Sequence, residues 1–307
     1  MELKSVEKEI FCEVADILEI PEGAYNFRVN GRSVGRNSTE NIEIKTKKEK
    51  SGLDIYIKEN TKNEQVHIPV AISVTGLKEA VYNDFHIGKN ADVVIIAGCG
   101  IYNCGPTNSV HNGIHRFFVE KGAKVHYIER HYGFGSGSGG KILNPMTELF
   151  MKEDSEAYLE LEQIKGVDST IRQTFAELKD NAKIFVKERL MTHGRQRAES
   201  IFNISLDGSD AVADVVSRAI AQDSSMQTLK INIDGNNQCR GHSECDAILM
   251  DSARVIAIPS LNALNTNAEL IHEAAIGKIA DEQITKFMTL GLTKKEAEAE
   301  IINGFLR

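Results

Sequence analysis

The sequence predicts a mainly β chain whose core is a parallel β-helix, with a helix and hairpins before it and a short helical domain after it. Between about residues 66 and 270 a small polar corner introduces a short alternating apolar run again and again, as in NADVVIIA, GAKVHYIE, NAKIFVKE, SSMQTLKINI and DSARVIAI. Where neighbouring corners can be compared they stand roughly 13 to 15 residues apart, too short for a strand plus a crossover helix but long enough for part of a solenoid coil. The flanks on both sides break this rhythm. An antiparallel β-sandwich is the competitor, because Asn112-Gly113, Asp207-Gly208 and Asp234-Gly235 are hairpin-type dipeptides.

Taken in order, Val6, Ile10, Phe11, Val14, Ile17 and Leu18 recur at helical spacing and define one amphipathic helix that Pro21 and Gly23 end. Such a stripe needs cover, so this helix is expected to pack on the main body. Residues 28–66 are polar and Lys-rich (GRSVGR, NSTEN, KTKKEKSG) around the alternating runs IEIK and LDIYIKE, which reads as exposed hairpins. In the core each coil stacks its Val, Ile and Leu on the coil below, and only the end coils need caps. Beyond it, Ile284, Phe287 and Met288 share one face of a helix over residues 281–290 that Gly291 ends, and Thr293 with Glu296 makes a capping box for a second helix. The chain thus divides into 1–65, 66–270 and 271–307. Its last segment carries the apolar Ile301-Ile302 and Phe305-Leu306, which either pack onto the solenoid or meet a partner.

At 307 residues the chain is long enough for one large domain or two ordinary ones of about 150 residues. With 41% hydrophobic and 26% charged residues, the disordered, collagen-like and disulfide-scaffold classes are disfavoured. Its 36 basic against 44 acidic side chains leave a net charge of −8, which argues against nucleic acid as a partner. No apolar run reaches the ~18 residues of a membrane span, and the mixed charges of the first segment do not make a signal peptide, so a cytoplasmic protein is expected. Five cysteines, an odd number, point to thiol or metal chemistry rather than a disulfide framework.

Gly135-Ser-Gly-Ser-Gly-Gly140-Lys141 satisfies the GxxxxGK core of a phosphate-binding loop, but Ile142 stands where Ser or Thr would hold magnesium and Pro145 would break the following helix. It is read as a flexible Gly/Ser loop. Cys99 and Cys104 lie in AGCGIYNCG, and Cys239 and Cys245 lie in QCRGHSECD around His242. Thiolate and imidazole so close can hold zinc or iron, although neither spacing is the tight CxxC of a structural zinc knuckle. One reading is therefore a structural solenoid with Cys239, His242 and Cys245 as a local zinc site. Buried, inert thiols are the plainer reading, and Cys12, on the apolar side of the first helix, belongs there. His272 and Glu273 follow 27 and 28 residues after Cys245, read as about two coils along one side, which is too far for co-ligation within one chain and easier across a subunit interface. His111 and His115 in SVHNGIHRFF read as a helix or loop pair with a packing role. A carbohydrate-active β-helix would need paired carboxylates on one face; no persuasive pair stands out, and there is no Trp to stack a sugar.

QCRGHSECDAILM followed by AELIHEAAIGKIADEQITKFMTLGLTKKEAEAEIINGF closely resembles the carboxyl-terminal core of the SufB/SufD family, the scaffold components of the iron–sulfur cluster assembly machinery. AGCGIYNCGPTNSVHNGIHRFFVEKGAKVHYI resembles the family's upstream segment more weakly, so the resemblance covers about residues 65–307. It implies a right-handed parallel β-helix followed by a helical domain. It further implies pairing through the solenoids, as a homodimer or with a SufB/SufD-like paralogue, and a SufC-type ABC ATPase docked around residues 283–305. The cargo implied is a transient iron–sulfur cluster fed by a sulfur-donor desulfurase system, with nucleotide hydrolysis left to the ATPase and a flavin left open. Residue by residue, Cys99 falls on the cysteine where persulfide sulfur enters, and Cys245 on the one that accepts sulfur and ligates the nascent cluster at the interface. His272 and Glu273 fall on ligand candidates of that interface. Cys245 favours the SufB branch over the SufD branch. The chain departs from the pattern at Ile271, where an acidic residue is typical, and at Cys104 and Cys239, which have no counterpart.

Overall fold

The computed structural model describes residues 3–306. Helix α1 (Ser5–Ala15) precedes two hairpins, β1 (Ala24–Val29) with β2 (Arg32–Asn37) and β3 (Ile42–Thr46) with β4 (Gly52–Ile57). Then come β5 (Lys62–Ile72), β6 (Lys78–Ile87), β7 (Asp92–Tyr102), β8 (Ser109–Val119), β9 (Lys124–Phe134), β10 (Lys141–Leu143), β11 (Met146–Met151) and β12 (Glu156–Lys165). They are followed by β13 (Ser169–Leu178), β14 (Lys183–Thr192), β15 (Arg197–Leu206), β16 (Ala211–Ala221), β17 (Met226–Gly235), β18 (Cys239–Leu249), β19 (Arg254–Ala263) and β20 (Ala268–Gly277). Helices α2 (Asp281–Thr289) and α3 (Lys294–Phe305) come last.

One sheet runs β2-β1-β5-β7-β9-β12-β14-β16-β18-β20, and the other runs β19-β17-β15-β13-β10-β8-β6-β4-β3 with β11 between β8 and β13. All pairings among β5 to β20 are parallel. The molecule is a parallel β-solenoid of about eight turns, and the sandwich is excluded. Asn112-Gly113 lies inside β8, and the other two dipeptides lie at coil corners or strand ends. Each coil contains one strand from each sheet, so the corner spacing read from the sequence is half a coil. From β5 onward, residues stacked on adjacent coils are 27 (Leu161 and Glu188) to 33 (Tyr132 and Lys165) positions apart.

The polar corners have a backbone cause. Asn60, Asn90, Asp154, Asn181 and Asp210 each take a φ between 57° and 61° just before a strand of the first sheet. Asn and Asp adopt this left-handed conformation more readily than other residues with a side chain. Between corners, alternate side chains turn into the rod and stack coil on coil, as in the buried row Ile95, Tyr127, Leu159, Val186 and Val215. Phe85 stacks on Phe117 with ring centroids 4.6 Å apart.

The hairpins are not simply exposed. β1 pairs in parallel with β5 and β4 with β6, and Ile42, Ile44, Leu53 and Ile55 are buried in the main core. They close the first coil, as a solenoid end requires. Helix α1 ends at Ala15, where Asp16 takes φ 53°, earlier than its periodicity suggests, and Leu18 is left 85% exposed. Its Ile10, Phe11 and Val14 pack outside the solenoid against Phe27, Ala71 and Tyr132. The helix sits directly on strand backbone: a Cβ on Gly100 would lie 2.4 Å from Ile10 Cγ2, and one on Gly98 2.8 Å from Val14 Cβ.

The Gly/Ser segment is a stacked corner rather than a free loop. The N–H groups of Gly137 and Gly139 donate to the carbonyls of Asn103 and Gly105 at 3.1 and 2.9 Å. Cβ atoms on Gly135, Gly137 and Gly139 would lie 2.3–2.4 Å from backbone oxygens of residues 103, 105 and 107, so these glycines serve close backbone approach, not phosphate. At the other end, Ile284, Ala297, Ile302 and Leu306 pack on Ile220 with Met191, Ile248 and Met250. The Thr293–Glu296 capping box forms as expected, Glu296 accepting from Thr293 N at 2.8 Å. No helix among the described residues is long and apolar enough to cross a membrane.

Candidate functional site

Cys99 lies on β7 between the two glycines that carry α1, and its side chain faces the opposite way, into the rod. Its neighbours on adjacent coils are Val70 and His131. A cavity of about 10 Å³ beside it is lined by His111, His115, Glu129 and His131 among others. His111 and His115 therefore occupy neither helix nor loop. They alternate inward along β8, a strand whose burial pattern switches at every residue.

A row of polar side chains runs from this point along the inside of the solenoid. His111 Nδ1 meets Glu79 Oε1 at 3.0 Å, and Glu79 accepts from Arg28. His115 bonds Asn83 through Nε2 at 3.2 Å and the Tyr127 hydroxyl through Nδ1 at 2.7 Å, and Tyr127 donates to Glu129 at 2.9 Å. Glu129 is paired with Arg172, whose guanidinium also stands 3.3 Å from His131 Nδ1 and 3.7 Å from Glu188. Glu188 accepts from Ser200 and from Ser217, the latter at 2.7 Å. Ser217 is the Cα partner of Cys245 on the next coil. Burial drives His115 down to about 4 and His131 to about 3, leaving both neutral. Burial alone would raise Glu129, but the Arg172 guanidinium holds it at about 2.

Ala97, Glu129, Leu161, Glu188, Ser217, Cys245 and Ala274 form one vertical column, and Cys99 stands one inward position to its side. Five strand spacings separate β7 from β18, so the two thiols are about 24 Å apart. No direct exchange bridges that distance. Both thiols are also held protonated: burial, then Glu79 and Glu129, raise Cys99 well above its ordinary value. Burial, then Glu188, Asp246 and Glu244, push Cys245 up to about 12. Cys104 differs, being exposed and lowered by hydrogen bonds from Tyr102 and the Ser136 backbone.

His272 is one coil from Cys245, not two, because a coil contains two strands. The Cα partner of Cys245 is Ala274; His272 pairs with Ser243, and its Nδ1 meets Ser243 Oγ at 2.8 Å. His272 faces inward with Ser243, whereas Glu273 is exposed beside Glu244 on the outer face. Cys239 and Cys245 point inward while His242 points outward to Asp214 at 2.8 Å, so strand alternation forbids the local zinc site. Among the described residues no three His, Cys, Asp or Glu side chains are arranged to hold a metal ion. The sequence reading missed Glu129, His131, Arg172 and Glu188. Their signal is a charged or imidazole residue at an inward position of an alternating run, as in Val125, Tyr127, Glu129 and His131.

β19 and β20 each pair on one side only among the described residues. Between their free edges the rod is open, with Ala257 and Leu261 facing Leu270 at the mouth. Cys245 lies one coil inside.

Comparison with known proteins identifies the family. Residues 78–305 match the family model described as SUF system FeS cluster assembly, SufBD core domain. An iron–sulfur cluster assembly SufBD family protein of Methanothermobacter thermautotrophicus is 27% identical over 71% of this chain and 53% of its own length. One of Archaeoglobus fulgidus is 31% identical over 75% of this chain and 61% of its own. The iron–sulfur cluster assembly protein SufB of Bacillus subtilis is 23% identical over 72% of this chain and 47% of its own. The chain thus spans about half to three fifths of the length of such relatives. With the matched segment covering the solenoid from β6 onward together with α2 and α3, the chain belongs to the SufBD family of iron–sulfur cluster assembly proteins.

Proposed function

We propose that this chain is a cytoplasmic scaffold subunit of a SUF-type assembly complex, holding a nascent iron–sulfur cluster where two solenoids meet end to end. The observation that carries this reading is the last coil. Its two strand edges are unpaired, its mouth is apolar, and Ile256, Ile258 and Ile271 on its outer faces and Ile276 on its inner face are 42–56% exposed. Unpaired edges and apolar surface of this kind favour burial against another chain. A second copy, or a SufB/SufD-like paralogue, would close the mouth and bring Cys245 of one chain toward His272 or Glu273 of the other. A soft thiolate suits iron–sulfur chemistry, and imidazole and carboxylate are exchangeable ligands suited to release.

Sulfur enters as persulfide at Cys99 from a desulfurase system and reaches Cys245 along the interior. The buried polar row supports this route, since it carries hydrogen-bonding side chains through the rod from beside Cys99 to beside Cys245. Because both thiols rest protonated and enclosed, transfer needs an opening of the coils. A SufC-type ATPase docked on α2 and α3 supplies it. Met288 and Leu290 remain exposed for docking, and the opposite side of the helices packs on Met250 and on Met191, Ile220 and Ile248, the last three in strands that also carry Glu188, Ser217 and Cys245. Cys245→Ala protein should gain no visible-absorbing chromophore on anaerobic reconstitution with iron and sulfide; a coloured variant would overturn the assignment. Deletion of residues 283–307 should abolish co-purification with the ATPase, and retained binding would remove the docking claim.

A further inference from the structure

A second small cavity, about 10 Å³, lies beside Cys245 and is lined by Glu188, Ser217, Gln227, Leu229 and Ala257 among others. We infer that this cavity is a chamber for one sulfane sulfur atom carried by Cys245, recognised by the side-chain oxygen of Gln227. The inference rests on the reading of Cys245 as a sulfur acceptor and adds the residue that keeps the sulfur there.

Gln227 is 2% exposed, and its Nε2 donates to Thr192 Oγ1 and to the Ile220 carbonyl, each at 2.8 Å. A backbone carbonyl accepts only, so that contact fixes which end of the amide is nitrogen. Gln227 Oε1 is then left buried with no partner. A buried acceptor without a donor calls for one. The two carboxylate oxygens of Glu188 already accept from Ser200 and Ser217, and Leu190, Ala219, Leu229, Val255 and Ala257 make apolar walls. A buried water needs roughly two to four polar partners, and Gln227 Oε1 is the fully buried side-chain acceptor of this lining that has none. The outer S–H of a persulfide suits it better: a single donor on a polarisable atom, already tethered to Cys245.

The loading step balances without an added oxidant. Cys245 Sγ attacks the outer sulfur of a donor persulfide R–S–SH, a new S–S bond forms at Cys245, and the donor S–S bond breaks. The thiol proton leaves with R–SH, giving Cys245–S–SH. Inside the chamber the S–H donates to Gln227, and the apolar walls shield the outer sulfur from attack.

The test loads the full chain anaerobically with inorganic tetrasulfide and follows one-sulfur mass additions on the peptides of Cys99 and Cys245 while cyanide strips them. In Gln227→Met, which removes the acceptor, and in Ala257→Val, which fills the cavity and leaves Gln227 in place, the Cys245 sulfur should be stripped about tenfold faster, the scale of one hydrogen bond. The Cys99 sulfur should be stripped at an unchanged rate. Equal rates at Cys245 in both variants and the parent would show a cavity filled by water only and overturn the inference. A parent chain that carries sulfur on Cys99 but none on Cys245 would instead overturn the acceptor reading beneath it.

Discussion

Glu129, Arg172, His115 and His131 show what single residues contribute inside this rod. Charges so deep are costly unless paired, and each of these has its partner. Their protonation fixes how stability depends on pH. The fold holds His115 at about 4 and His131 at about 3, below the ordinary imidazole value, so the unfolded chain takes up protons that the folded chain refuses. Their contribution is complete above about pH 6.5 and is lost as pH falls toward 4, at about 1.4 kcal/mol per pH unit for each. Glu129, held at about 2, adds loss of the same sign as pH falls below the ordinary carboxylate range. The urea midpoint should therefore drop between pH 7 and pH 5 and drop less in His131→Gln; a flat profile would contradict the burial described. The sequence made Cys99 and Cys245 visible through their motifs. It hid the charges between them, because inward and outward residues look alike until strand alternation is registered against the corners.

Among the elements, α1 was legible in its stripe and its packing role, but its length was not. Ile17 and Leu18 continue the apolar pattern past Asp16, where the backbone turns left-handed. The coil was misjudged for a related reason. Strands on opposite faces have the same corner chemistry, so one repeat of the pattern measures half a turn, and Cys245 and His272 came to be placed a coil too far apart. The sequence also left unexplained why glycines flank Cys99. Gly98 and Gly100 admit α1 to the strand surface, and any side chain there must displace it. Gly100→Val should cost about 1–3 kcal/mol in denaturant unfolding. Gly277→Ala, where nothing lies within 4 Å of the added carbon, should be neutral within error. Equal behaviour of the two would mean that α1 does not bear on β7.

At the scale of the whole molecule, the core at one end of the rod is covered by the hairpins, with α1 on the flank beside them, and the other end is open where the candidate ligands lie. The solenoid was legible from its rhythm. The open end was not, because unpaired edges are a property of neighbours in space rather than of any local run. That end gives His272 and Cys245 the same inward direction and Glu273 the opposite one, so a single chain does not gather all three. The central claim is that two chains do. Co-expression of Cys245→Ala with His272→Ala, each tagged separately so that mixed dimers are isolated, tests it after anaerobic reconstitution with iron and sulfide. A site shared between chains leaves one intact Cys245–His272 combination per mixed dimer, so the mixed species should regain about half of the parent chromophore while each variant alone stays pale. Mixed dimers as pale as either variant alone would contradict the account.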